Sequence, residues 1–273
     1  MSRSDFYDRL DGRWKGSGSM LCVGIDPETS RIPKHIRHLS DAFFQFGKAI
    51  VDATAEHVCA FKPQAAHFAA QGCEDQLSDL ITYIRETYPE IIVILDAKRG
   101  DVGSTAKLYA REAFERYSAD AVTVNPYLGY ESLKPYFDYS EKGVVVLCRT
   151  SNPGSDWLQK SLREGKPLYL EVAEQVASWD DNGQCMLVTG ATYPEELALV
   201  RAAVGDMPLL VPGVGAQGGS VQEVLAAGKD SGGFGLVISS SRGIIYAGEG
   251  EDFAAQAGIQ AKKLKQEINH GSS

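Results

Sequence analysis

The chain repeats one pattern eight times: a short apolar run rich in β-branched residues, followed by an amphipathic stretch with helical spacing. The runs lie at 20–26, 58–63, 91–98, 121–127, 143–150, 185–189, 208–212 and 235–239. The helical stretches lie at 42–57, 77–87, 105–117, 132–139, 169–179, 195–204, 221–227 and 254–268. Near-continuous apolar strands need cover on both faces, which a parallel sheet wrapped by helices provides. Eight such units close into a single (β/α)8 TIM barrel of parallel strands, the expected fold class. An open doubly wound sheet is the alternative that the same alternation permits.

No linker interrupts the alternation, so residues 1–273 read as one domain. Residues 1–19 form a short N-terminal extension, a helical segment followed by a Gly/Ser hinge. One connection, 151–166, is oversized, Gly/Pro/Ser-rich at its start and charged later, which suits an active-site lid.

A net charge of −9 opposes broad contact with a nucleic-acid backbone, yet leaves room for a phosphorylated small molecule. No apolar run is long enough to span a bilayer, and residues 1–16 lack the apolar core of a signal peptide. The expectation is a soluble cytoplasmic protein with no membrane or nucleic-acid partner. Cys22, Cys59, Cys73, Cys148 and Cys185 are odd in number, far apart and without a C-x-x-C, and four of the five lie in or beside aliphatic stretches, where they read as buried free thiols. The five histidines do not gather with carboxylates at strand ends; His35 and His38 share a helix face but lack a third ligand. No metal is expected, and no dinucleotide fingerprint follows the first strand.

Barrel enzymes carry their chemistry at the C-terminal ends of strands, where charge is otherwise unexpected. Strand 1 ends with Asp26, strand 2 with Lys62, and strand 3 with Asp96 and Lys98, followed by Asp101 in the loop. A lone charge there often caps a helix or reaches for water. Five on adjacent strands can converge, which points to a catalytic cluster. Alternation aims Asp96 and Lys98 the same way, toward the barrel mouth. Lys98 stands between two aspartates that favour its ammonium form, so it reads as a proton donor or cationic stabiliser and not as a Schiff-base former. After strand 7 comes PGVGAQGGS, and strand 8 ends SSSRGI. Loops at these positions commonly cradle phosphate through backbone N–H groups, with Arg242 adding a charged fork.

Taken together, VGIDP, KPQ, DAKRGD, TSNPG, PGVGAQGG and SSSRGI resemble the orotidine 5′-phosphate decarboxylase family, in order and over nearly the whole chain. The length is similar to its longer bacterial branch. The resemblance implies decarboxylation of orotidine 5′-phosphate to UMP and CO2, the last step of de novo pyrimidine nucleotide biosynthesis, without a cofactor. It implies that Asp26 and Lys62 bind ribose hydroxyls, that Asp96 faces the departing carboxylate, and that Lys98 protonates C6. Asp101 and Thr105 would enter the site of the other subunit in a homodimer. Ser151 would contact the pyrimidine, Gln217 would bridge base and phosphate, and Gly218, Gly219 and Arg242 would hold the phosphate. Without a cofactor as electron sink, stabilising the C6 carbanion falls to fixed charge, an ammonium held where negative charge develops. Two alternatives remain: a metal-dependent sugar-phosphate enzyme of the same superfamily, of hexulose-phosphate synthase or keto-gulonate-phosphate decarboxylase type, and a silent barrel that senses a phosphorylated nucleotide.

Overall fold

The computed structural model describes residues 4–214 and 219–271. Eight parallel strands form a closed barrel: β1 (Leu21–Ile25), β2 (Ala60–Pro63), β3 (Ile92–Arg99), β4 (Ala121–Val124), β5 (Gly143–Arg149), β6 (Cys185–Thr189), β7 (Leu209–Pro212) and β8 (Leu236–Ser240). Each pairs with its neighbours in sequence, and β8 returns to β1 with Cys22 opposite Ser239 and Val23 opposite Ser240. Closure leaves no open edge, so the doubly wound alternative is excluded. Every residue of β2, β4 and β6 is buried, as expected where side chains alternate between the barrel interior and the helical ring.

The helical stretches occupy their expected places, with instructive departures. The fourth strand was expected to reach Tyr127 but stops at Val124, because Pro126 opens a 3-10 turn over Pro126–Leu128. The helix expected at 105–117 is α-helical over Gly103–Arg111 and widens to a π-turn over Glu112–Arg116. The long connection after β5 is itself ordered: a short helix, Asp156–Gln159, and a two-stranded antiparallel hairpin, Leu162–Arg163 with Lys166–Pro167.

The N-terminal segment forms a helix, Asp5–Ser17, capped by the Ser4 hydroxyl, which accepts from the Tyr7 N–H. Its contacts all precede strand starts: Ser4 donates to the Gly183 carbonyl, Arg9 pairs with Asp120, and Arg13 donates to the carbonyls of Ala55 and Val58. The helix therefore closes the N-terminal mouth, burying Phe6, Leu10 and Trp14. Gly143 opens β5 here because a Cβ at that position would lie 2.7 Å from the Phe6 ring. With one mouth plugged, only the C-terminal end is open for chemistry. Leu10→Ala should destabilise the protein by about 2–5 kcal/mol, read as a lower denaturant midpoint at unchanged slope. A midpoint equal to the parent's would show that the plug does not support the barrel.

Candidate active site

At the C-terminal mouth the order of β3 breaks. Its pairing with β4 runs from Leu95 opposite Val122 to Arg99 opposite Val124, so Asp96, Ala97 and Lys98 stand opposite Thr123 alone. This is a bulge, and Lys98 within it takes φ 48°, a left-handed conformation unusual for a residue with a Cβ. Asp96 and Lys98 do meet, but through this bulge and not through the regular alternation expected of a strand. Asp96 Oδ1 receives Lys98 Nζ at 2.5 Å and the Thr123 hydroxyl at 3.0 Å, while Oδ2 receives Lys62 Nζ from β2 at 2.7 Å. Lys62 and Asp96 are buried; the Lys98 side chain is 47% exposed and reaches into the cavity.

Burial alone would push the Asp96 carboxyl up, but the ammonium groups of Lys62 and Lys98 outweigh it and hold it well below the usual carboxylate range. Burial likewise pulls Lys62 down, and Asp96 with Asp26 more than reverses this, so the buried ammonium stays charged. Beside them on β1, burial pushes the Cys22 thiol up to about 12, which leaves it protonated and unsuited to nucleophilic work.

These groups form the floor of a cavity of about 540 Å³, walled by Leu147, Val188, Leu210 and Pro212 and roofed by Ser151, Asn152 and the segment 154–159. Ser151 sits against Gly190 after β6; a Cβ there would lie 2.8 Å from the Ser151 backbone, so only glycine lets the loop pass. A smaller recess of about 140 Å³ shares Lys62 and Pro212 and adds Asp26, Ser239, Ser241 and Arg242. Here the Ser241 hydroxyl donates to Asp26 Oδ2 at 2.5 Å, and Asp26 Oδ1 is buried with no hydrogen-bond partner among the described residues. An unsatisfied carboxylate oxygen is a ready acceptor for a ligand hydroxyl. Gly219 and Ser220 lead into the helix Val221–Gly228, facing Ser240 and Gly243 across a further cavity. Val214 and Ser240 line both this cavity and the recess that holds the exposed Arg242, so a helix N-terminus and a guanidinium lie on adjoining cavities, an arrangement suited to an anion. A larger groove, about 730 Å³, runs between residues 30–37 and 246–251, and none of the charged cluster lines it.

Of the five charges expected to converge, Asp26, Lys62, Asp96 and Lys98 do so. Asp101 is not among the residues lining this cavity: its carboxylate accepts from the Val102 N–H, and the exposed Thr105 does not line it either. Gln217 and Gly218 lie outside the described residues. Two contributors escaped the sequence reading. Thr123 was visible as the one hydroxyl in the apolar run AVTV. Arg149 ends β5, a strand end like those that drew attention, yet it was passed over. It is buried, donating to Asp156 at 2.6 Å, to Ser155 at 2.5 Å and to Glu196. It thereby ties the base of the 150–160 segment to the helix Pro194–Val204. Among the described residues, no group of three or more His, Cys, Asp or Glu side chains is placed to hold a metal ion.

A carboxyl held lower in the folded than in the unfolded chain stabilises the fold fully above the unfolded value, and that contribution disappears as pH falls through the folded value. The stability of the parent protein relative to Asp96→Asn should hold steady from about pH 7 to 5 and decline below about pH 4, measured by urea unfolding. A relative stability that does not change with pH would show that Asp96 is not held ionised.

Residues 19–257 match the family described as Orotidine 5′-phosphate decarboxylase / HUMPS. The orotidine 5′-phosphate decarboxylase of Janthinobacterium sp. (strain Marseille) is 53% identical over 265 residues, covering 97% of this chain and 98% of that one. That of Azoarcus sp. (strain BH72) is 55% identical with the same coverage. Among solved structures, the OMP decarboxylase of Leishmania donovani aligns with a TM-score of 0.84 at 39% identity, covering 100% of this chain and 99% of that one. The UMP synthase of the same organism aligns at 0.87 and 40%, covering 99% of this chain and 57% of that one. Barrel, buried charges and near-full-length identity agree: the chain belongs to the orotidine 5′-phosphate decarboxylase / HUMPS family.

Proposed function

We propose that this chain converts orotidine 5′-phosphate to UMP and CO2 without a cofactor. The observation that carries the reading is Asp96 held ionised between Lys62 and Lys98 on the cavity floor. In this reading, the phosphate lies at Gly219 and Arg242, with Gln217 and Gly218 assigned there by the resemblance alone. The ribose hydroxyls lie at Asp26 and Lys62, where Asp26 Oδ1 has capacity to accept. The pyrimidine lies under Ser151, with its carboxylate toward Asp96. Two carboxylates facing one another repel, and departure of CO2 removes one of them. The electron pair of the broken C–C bond stays on C6, where the Lys98 ammonium opposes the developing charge and then supplies the proton. Phosphate binding far from C6 supplies interaction energy for closing the 151–166 segment as a lid.

Purified protein should convert orotidine 5′-phosphate, followed by its absorbance change, and turnover should survive exhaustive chelation. Activity lost on chelation and restored by a divalent cation would favour a metal-dependent sugar-phosphate relative instead. Lys98→Ala should fold and be inactive, and borohydride should trap no adduct; a trapped adduct at Lys98 would overturn its role as an acid.

The partner in this proposal is a second copy of the chain. Val102, Leu108, Tyr127, Leu128 and Tyr130 are exposed apolar residues around Asp101 and Thr105, on loops and helices that pack together. A C2 interface there would carry Asp101 and Thr105 into the neighbouring site. Lys98→Ala and Asp101→Ala homodimers should each be nearly inactive. Mixed and re-equilibrated, about half the dimers should be hybrids with one intact site, so about a quarter of all sites should recover. If Asp101 served its own chain, every hybrid site would keep one lesion and no activity would return.

A further inference from the structure

Thr123 is buried in β4, at the one place where the pairing of β3 and β4 fails. The bulge removes the N–H groups of Ala97 and Lys98 from the strand ladder, and both donate instead to Thr123 Oγ1, each at 2.9 Å. The same hydroxyl donates its own proton to Asp96 Oδ1 at 3.0 Å. A hydroxyl has one proton and two lone pairs, so this one is fully used, and all three of its bonds end on residues 96–98. Lys98 is held at φ 48°, a conformation that persists only where the surroundings over-determine it. Among the described residues, no other side chain accepts from the Lys98 backbone N–H.

We infer that Thr123 is a positioning residue for the reaction: its hydroxyl fixes the backbone of Lys98 and one oxygen of Asp96, so that the ammonium is aimed into the cavity. This rests on the reading of Lys98 as the proton donor. Asp96 Oδ1 is shared by Thr123 and Lys98, so when Lys98 turns its proton toward the substrate, the hydroxyl keeps that oxygen in place. The carboxylate stays where it opposes the departing group, and the lysine moves about a fixed backbone.

Thr123→Val keeps the side-chain shape and removes the hydroxyl. Against orotidine 5′-phosphate, kcat should fall by about 100-fold, the scale of a 1 Å misplacement of a reacting group. The Kd of UMP should stay within about threefold of the parent's, since UMP carries no carboxylate to meet Asp96. Thr123→Ser, which keeps the hydroxyl, should restore most of kcat. Thr123→Ala makes room for water at the two N–H groups and serves as the second variant should Thr123→Val not fold; its kcat should fall as far. A kcat within about threefold of the parent's in the folded variant would overturn the inference. So would a loss of UMP affinity as large as the loss of kcat, or a serine variant as slow as valine. Lys98→Ala, run in the same assay, separates the two levels. Turnover that survives in it overturns the reading of Lys98, whereas turnover lost there and kept in Thr123→Val overturns the inference alone.

Discussion

One carboxylate holds the site together. Asp96 is buried between two ammonium groups: with Asp26 it keeps the buried Lys62 charged, and it holds the Lys98 ammonium at 2.5 Å. Taking Lys62 and Asp96 out of water is costly, and mutual attraction offsets that cost only where geometry is good and the remaining lone pairs are satisfied. Both Asp96 oxygens are used here, one by Lys62 and the other by Lys98 and Thr123. The groups come from three adjacent strands, so the barrel's register is what sets their spacing. Gly24 pairs with Lys62, and Gln64 forms a bridge with Asp96, which locks the C-terminal ends of β1, β2 and β3 against one another.

The two ends of the barrel divide the work. The N-terminal helix buries Phe6, Leu10 and Trp14 across one mouth, so stability there does not depend on the site. The opposite mouth carries an Asp26 oxygen with no partner among the described residues and, in Lys98, a left-handed residue with a Cβ, each of which costs stability. A rigid, plugged barrel can carry these costs because its closed sheet and apolar interior exceed them. Arg149 extends the same logic to the roof. Its guanidinium, buried between Asp156 and Glu196 and lying over the Tyr193 ring, fixes the root of the segment whose tip carries the exposed Trp157.

The barrel was legible because its strands are buried on both faces and its helices on one, which writes two different periods into the chain. The charged strand ends were legible because charge is out of place in such runs. Where the reading failed, the chain departs from regular geometry. Pro126 shortened the fourth strand, which a closer weighing of proline would have caught. Asp101 follows Asp96 closely in sequence, yet its carboxylate accepts from the Val102 N–H and it is not among the residues lining the cavity. The hairpin at 162–167 has strands of two residues, too short for any period to show.

The bulge at 96–98 is the deepest of these departures. Regular alternation in β3 would also aim Asp96 and Lys98 to one side, so the pattern gave the correct direction for an incorrect reason. In a regular strand, side chains two apart project in parallel and stand side by side. Here the backbone reverses its hand at Lys98, and the lysine folds back so that its ammonium lies on the carboxylate two residues before it. No periodicity encodes that turn. It depends on a hydroxyl 25 residues away, on the next strand, whose only trace in the sequence is a threonine among valines.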